Sequence, residues 1–264
     1  MKRHFDEFFN RLRSLQGSIW VEGDDLKLST PKELQTPETK NFLIAHKAEI
    51  IDLLRDNHIE SKEEFHRVRI LAYGTTEKSQ LSFAQERLYF IEKLEEGTDA
   101  YHLPEVFELE ENADTDAIEQ SVQKILSRHE VLRSTIHSDQ DGNEMILHNA
   151  PLAIDHSTIS AENYPDQMIS DIKQPFDLTN DYPIRVRFYT IEETGRKYLS
   201  ICTHHIASDG WSINLFRQEL AAYYEAYLNE AYAFELTEPA IQYGDFAGWQ
   251  KNYLTGTVLE EQLS

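Results

Sequence analysis

Thr203-His204-His205-Ile206-Ala207-Ser208-Asp209-Gly210-Trp211-Ser212 joins a strand-like run, Lys197-Tyr198-Leu199-Ser200-Ile201-Cys202, to a helix-like one, Ile213 to Leu228. The helical run has apolar residues at Leu215, Phe216, Leu220, Tyr223, Tyr224 and Tyr227, the spacing of one helix face. Two adjacent histidines therefore stand at a strand end, with Asp209-Gly210 in the turn into a helix. Side chains alternate faces along a strand, so His204 groups with Ser200 and Cys202, and His205 with Leu199, Ile201 and Thr203. The imidazoles point apart, whereas the ligands of one metal ion converge, so no metal site is expected. The pattern suits one histidine held in the interior and one presented to a cavity, where a neutral imidazole takes a proton near pH 7. Two hydrogen-bonded core histidines are the plainer alternative. Gly210 permits a tight turn and a close backbone approach to a ligand.

The 264-residue chain is long enough for one large or two modest domains. Its hydrophobic share of 40%, with 13 Tyr and 13 Phe, supports a packed core. A net charge of −22 disfavours nucleic acid and anionic membrane as partners. Cys202 is the one cysteine, so no internal disulfide forms. No apolar run reaches the ~18 residues of a membrane span, and Met1-Lys2-Arg3-His4-Phe5-Asp6-Glu7 does not open a secretory signal. A cytoplasmic location is expected. Residues 1–55 are electrically balanced, and residues 56–264 carry the whole negative excess, a break that suggests two units with different tasks.

In the first unit, Phe5, Phe8, Phe9, Leu12 and Leu15 follow helical spacing, with Gly17 as the stop. Ile19 to Val21 and Leu26 to Leu28 flank Gly23 as a hairpin. Thr30-Pro31-Lys32-Glu33 and Thr36-Pro37 are helix-start signals, the second leading a helix through Leu43, Ile44, Ile50, Ile51 and Leu54. The predicted order is αββαα, a module of marginal stability by itself, whose open hairpin edge can receive an extended peptide. Residues 61–80 read as a linker and a first strand, with alternation over Phe65 to Leu71.

Further on, Leu81-Ser82-Phe83-Ala84-Gln85-Glu86-Arg87-Leu88-Tyr89 opens an amphipathic helix. A helix over Ala117 to Ser127 ends in Arg128-His129-Glu130-Val131-Leu132-Arg133, where a salt-bridged helix end with a structural His129 is expected. Thr135 to His137 and Glu144 to His148 flank Asp139-Gln140-Asp141-Gly142-Asn143 as a hairpin. Pro183 to Phe188 alternates as a strand, and Tyr243-Gly244-Asp245-Phe246-Ala247-Gly248-Trp249 reads as a helix. Asp155-His156-Ser157 has the look of a triad fragment, but no G-x-S-x-G elbow accompanies it. Cys202 shares the parity of the interior histidine and reads as core.

The string His204-His205-Ile206-Ala207-Ser208-Asp209-Gly210 resembles the HHxxxDG motif of nonribosomal peptide synthetase condensation domains, whose fold is that of chloramphenicol acetyltransferase. Ser82 to Tyr89 resembles that family's SxAQxRL(W/Y), Arg128 to Arg133 its RHExLR, and Tyr243 to Trp249 its YxDxAxW, in the family's order. Residues 1–55 resemble the N-terminal docking domain of the tubulysin-synthetase type, His46 to Arg55 matching its closing helix. The resemblances imply an α+β chain: a docking domain over 1–60, then the N-terminal lobe of a chloramphenicol-acetyltransferase-like α/β sandwich over 81–264. No counterpart of the second lobe's IGxFVNT is present, so the lobe is read as truncated and inactive alone.

In the intact synthetase of secondary metabolite biosynthesis, the resemblance implies peptide-bond formation between a carrier-bound donor thioester and an acceptor amine. The substrates ride on phosphopantetheine arms of partner carrier proteins, and the domain binds no cofactor directly. His205 would be the catalytic residue and His204 structural. Asp209 would ion-pair with an arginine, be it Arg87, Arg133, Arg185 or one outside the chain, and Gly210 would approach the substrate closely. The docking resemblance implies that the C-terminal tail of the preceding subunit adds as a strand along Leu26, Lys27, Leu28, Ser29 and Thr30. Lys27 and Lys32 would meet acidic groups of that tail, and homodimerisation of the module is left open. Histidine at position 204 disfavours a heterocyclising relative, and Trp211 leans toward an L-configured donor. A free-standing acyltransferase using coenzyme A is the alternative.

Overall fold

The computed structural model describes residues 5–95, 97–140, 142–255 and 259–260. They fall into two compact units, one made of residues 1–83 with 240–264, the other of residues 84–239.

The first unit begins with helix α1 (Phe5–Ser14). Phe5, Phe9 and Leu12 repeat at helical spacing and are fully buried. The helix ends with Gln16, not Gly17, in the left-handed region, at φ 64. Gly17 is needed for a different reason: a Cβ there would lie 2.4 Å from Leu12 Cδ1 and 2.6 Å from Pro31 Cδ. Strands β1 (Ser18–Glu22) and β2 (Asp25–Ser29) form the expected hairpin, with Ile19 opposite Leu28 and Val21 opposite Leu26. Thr30-Pro31-Lys32-Glu33 gives only a single 3-10 turn over Lys32–Leu34. Thr36 caps α2 (Pro37–Ala45) through its accepted bond from the Thr39 N–H, with Pro37 in the first turn, as its sequence signals. The helix expected to continue to Leu54 divides at His46, which leaves helical geometry at φ −114, ψ 16 and starts α3 (Lys47–Asp56).

Residues 61–67 depart from the sequence reading. In place of a linker and strand they form α4 (Lys62–Arg67), capped by Ser61. The Ser61 oxygen accepts from Glu64 N–H, and Glu64 reaches back to the Glu60 N–H. That is the S-x-x-E pairing of a capping box, with the return bond made to the residue before the cap, and it outweighs the two-residue alternation that suggested a strand. Phe65, Leu71 and Tyr73 enter the same core as Phe5, Phe9, Ile50, Leu53 and Leu54. Asn57 clasps Ala72 in both directions, donating to its carbonyl at 3.0 Å and accepting its N–H at 2.7 Å. After the short strand β3 (Lys78–Gln80), the unit is completed by α9 (Tyr243–Tyr253), where Gln242 and Asp245 cap reciprocally. Buried Asp6 accepts bonds from the Tyr73 hydroxyl and the Asn252 amide, so a carboxylate among phenylalanines keeps hydrogen-bond partners.

The second unit opens with α5 (Phe83–Leu94) and β4 (His102–Leu109). α6 (Thr115–Arg128) follows, capped by Asp114, then the hairpin β5 (Ser134–Asp139) and β6 (Gly142–Leu147). Asp141 of the expected hairpin turn lies outside the described residues. β7 (Asp155–Ile159), α7 (Tyr164–Lys173), β8 (Ile184–Ile191), β9 (Lys197–His204) and α8 (Gly210–Leu228) complete the unit. Four strands form one sheet in the order β4-β9-β8-β7, antiparallel except for β7 with β8. Alternation sorts its two faces. Val186, Phe188, Leu199 and Ile201 pack with Ile118, Val122 and Ile125 of α6 and Tyr223 of α8. Arg185, Arg187 and Tyr189 point the other way, where each bonds to α7: Arg185 to the Asp171 carbonyl, Arg187 and Tyr189 to the Asp171 carboxylate. The Arg128–Arg133 segment holds the ion-paired helix end expected of it, with Arg128 Nε 2.9 Å and His129 Nε2 2.7 Å from the buried carboxylate of Glu219 on α8.

Candidate functional site

β9 ends at His204, and His205 is the first residue of the turn into α8. The two histidines part: His204 is fully buried, and His205, just past the strand end, is exposed. His204 sits opposite His102 of β4. Its Nε2 lies 3.0 Å from Oε1 of Glu92, a buried residue of α5. Its Nδ1 accepts the Ile206 N–H at 3.0 Å. Burial pushes the His204 pKa below its ordinary value, which agrees with a neutral ring that accepts at one nitrogen and donates at the other.

The backbone around His205 is fixed from several sides. The His204 N–H donates to the Pro183 carbonyl at 2.9 Å, the His205 N–H to Tyr101 at 2.8 Å and the Ala207 N–H to His204 at 3.0 Å. Gln85 of α5 donates to the Ile206 carbonyl at 3.1 Å. A pinned backbone thus presents an exposed imidazole, the arrangement that lets a histidine exchange protons with a bound molecule without first reorganising. Sequence reasoning singled out neither Glu92 nor Gln85. The signal was there: they lie seven residues apart, two turns of helix, on the face of α5 that also buries Leu88 and Tyr89.

Asp209 does not make the arginine ion pair expected of it among the described residues. Its Oδ1 caps α8, accepting the Trp211 N–H at 3.1 Å, the Ser212 N–H at 2.8 Å and the Ser212 hydroxyl at 2.7 Å. The helix start thus engages one oxygen of the carboxylate, Oδ1, with three donors. Arg133 is occupied by the carbonyl of His148 and by Asn149, and Arg185 by the carbonyls of Asp171, Gln174 and Pro175. The Ser212 bonds and the Trp211 amide hold the Asp209 pKa below the usual carboxylate value. Its stabilising contribution is therefore complete above the ordinary carboxylate pKa and lost as pH falls through the lowered one. Asp209→Ala should cost about 0.5–2 kcal/mol of stability at neutral pH, whereas Asp209→Asn, itself a good cap, should cost a few tenths and flatten the acid limb. Chemical denaturation at pH 7 and pH 3 checks both.

Gly210 is the first residue of α8, outside the left-handed region, and a Cβ there would meet nothing within 4 Å. The turn itself therefore does not demand glycine. Cys202 is buried, and burial pushes its thiol up to about 11, the state of a core residue and not of a nucleophile. His156 of the apparent triad fragment bonds Glu119 on α6 at 2.6 Å. Among the described residues no group of three His, Cys, Asp or Glu side chains converges as a metal site, and no helix is long and apolar enough to cross a membrane.

The second candidate site is the outer edge of β2. β1 and β2 pair with each other alone among the described residues. Val21 donates its N–H away from β2, to the Ile59 carbonyl at 3.1 Å, so Val21 and Leu26 are a non-hydrogen-bonded pair. Pairs alternate in an antiparallel ladder. Leu26 and, two residues on, Leu28 therefore turn their N–H and C=O groups outward, while their side chains lean on the core. Lys27 lies opposite Trp20 and sits 3.3 Å from Glu22 and 3.8 Å from Asp25. Exposed pairs of this kind are worth about 0–1 kcal/mol, so Lys27 can exchange them for another carboxylate. Ser29 ends β2, Thr30 follows it, and Lys32 is exposed on the 3-10 turn.

Two family models match: a condensation domain over residues 75–264 and a TubC N-terminal docking domain over residues 6–56. A linear gramicidin synthase component of Brevibacillus parabrevis is 36% identical over 193 residues, covering 70% of this chain and 2% of that protein. The bassianolide nonribosomal cyclodepsipeptide synthetase of Beauveria bassiana is 35% identical over 186 residues, covering 69% of this chain and 6% of that protein. Among solved structures, the X-domain from teicoplanin biosynthesis superposes with a TM-score of 0.65 at 28% identity, covering 73% of this chain and 43% of that one. The chain thus spans a small part of the length of the curated relatives it matches.

Proposed function

The chain belongs to the condensation-domain family, with a TubC-type docking domain ahead of the lobe, and from that premise we propose that its intact parent enzyme forms peptide bonds between carrier-bound substrates. His205 is the group that acts on the acceptor amine, removing its proton or holding it for attack on the donor thioester. One observation carries this: His204 is buried with both ring nitrogens bonded, while the next ring stands exposed on a pinned backbone. Thioester and amine arrive on the phosphopantetheine arms of carrier proteins in the cytoplasm, and the domain needs no bound cofactor. Gly210 gives the substrate room beside the backbone, since nothing lies within 4 Å of its Cβ position. The lobe, residues 81–264, supplies this half of the site, and the fragment alone is inactive. A free-standing acyltransferase using coenzyme A is not favoured, because a diffusible donor requires no docking domain.

The recognition task falls to residues 1–60 together with α4 and residues 71–73, which close their core. The C-terminal tail of the preceding subunit adds as a strand along Leu26, Lys27, Leu28, Ser29 and Thr30, with Lys27 and Lys32 meeting its acidic groups. The outward amides of Leu26 and Leu28 support that edge. Calorimetric titration with C-terminal peptides of neighbouring subunits tests this. Saturable binding should weaken at least about tenfold when the peptide is N-methylated at the nitrogens facing β2, and stay unchanged when the opposite-edge nitrogens are methylated. Equal loss from both would argue against strand addition.

A further inference from the structure

We infer that Glu92 is a positioning residue for His205, acting through the orientation of the His204 ring; this rests on the role proposed above for His205. A neutral imidazole has one N–H and one lone pair. Since the Ile206 N–H donates to Nδ1 of His204 at 3.0 Å, the ring proton is on Nε2, and Glu92 Oε1, 3.0 Å away, is its acceptor. Glu92 and His204 are 7% and 0% exposed, so water is a poor substitute for either partner. The other Glu92 oxygen accepts the Thr98 N–H at 3.4 Å, which orients the carboxylate from the loop before β4.

The His204 ring reaches from position 204 to 206 and so closes the backbone around the residue between them. Without Glu92 the Nε2 proton is buried with no acceptor, and moving it to Nδ1 would only set it against the Ile206 N–H, donor against donor. The ring instead turns to find a partner for Nε2–H, and the Ile206 bond to Nδ1, the clamp, opens. Tyr101 and Gln85 still hold the His205 N–H and the Ile206 carbonyl, but neither orients the ring. His102, whose ring centroid lies 6.1 Å from that of His204, is bonded through Nδ1 to the Ile172 carbonyl at 2.6 Å.

Two measurements test the assignment. Long-range proton–nitrogen spectra of the chain with labelled histidine should give His204 a bare Nδ1 and a protonated Nε2. Glu92→Gln, which keeps an acceptor oxygen, should preserve the protected Ile206 amide that this state implies, and Glu92→Ala should speed exchange of that amide as the ring turns away from it. In the complete synthetase subunit, Glu92→Ala should lower kcat about ten- to a hundredfold, as loss of alignment does. KM for the carriers should stay within about twofold and Glu92→Gln within about threefold of wild-type kcat. A wild-type His204 protonated on Nδ1, an Ile206 amide as protected in Glu92→Ala as in wild type, or a Glu92→Gln as impaired as Glu92→Ala would each overturn the proposal. A wild-type subunit that condenses nothing would instead overturn the function assigned to the enzyme, and exchange of the Ile206 amide would still decide whether Glu92 governs His204.

Discussion

Alanine at position 205 of the complete synthetase subunit lowers carrier-to-carrier condensation by about 10²–10⁴-fold, the contribution of a positioned acid–base group. The expected change is in kcat, with carrier binding intact, because the role proposed for His205 places the imidazole at the reacting amine and not at a carrier surface. Stability should move by no more than about 0.5 kcal/mol, as for other exposed sites. The His205 ring is exposed, and its backbone bond to Tyr101 survives truncation. His204→Ala is the contrasting control. It removes a fully buried ring together with the acceptor of the Ile206 N–H and the donor to Glu92, so stability and activity should fall together. Single-turnover assays with loaded carriers, run beside thermal melts, separate the two. Condensation by His205→Ala within about threefold of wild type would remove His205 from the chemistry.

The parts of this site legible in the sequence are those with a local cause. Strand alternation set the two imidazoles on opposite faces, and the family resemblance said which of them acts. Thr36-Pro37 started a helix because a hydroxyl cap and a fixed φ act within one turn. What the sequence hid depends on contacts far along the chain. Glu92 finds His204 across 112 residues and Gln85 finds Ile206 across 121, and an acid on an apolar helix stripe names no partner by itself. Asp209 was assigned an arginine, inside the chain or outside it, by family resemblance; among the described residues its Oδ1 takes the donors of its own helix start, a local cap that the resemblance did not name. The break at His46 and the helix after Ser61 were missed differently. Helical periodicity runs straight through His46, and six residues of Lys62–Arg67 are too few to display a period. There the Ser61-Glu64 capping box was the decisive mark, and alternation over Phe65 to Leu71 was the misleading one.

The consequence for docking is large. Phe65→Ala should abolish recognition of the upstream tail, although Phe65 is far in sequence from the proposed receiving edge. The ring is fully buried. It packs edge-on against Phe9 at 5.9 Å between centroids and lies under the Arg13 guanidinium at 4.3 Å. Truncating a buried phenylalanine costs about 3–5 kcal/mol, and the core of so small a module rarely supplies more than about 3–5 kcal/mol in total. The hairpin carrying Leu26 and Leu28 rests on that core, so it loses its support along with the ring. A module cut after residue 60 should fare no better. It forfeits Phe65, Leu71 and Tyr73, and with them the Tyr73 hydroxyl bonded to Asp6. It also forfeits the carbonyls of Phe65 and Val68 that accept from Arg13 at 3.1 and 2.8 Å. Burial already pulls the Arg13 pKa down to about 10, so a guanidinium stripped of those acceptors further weakens the fold. Amide exchange of α1 and the hairpin, measured beside the peptide titration, reads the effect directly. Exchange should become fast in α1, β1 and β2 while the sheet of the second unit keeps its protection. Full tail affinity in Phe65→Ala, or in the fragment ending at residue 60, would put the end of the docking fold before α4 and make Phe65 a passenger on it.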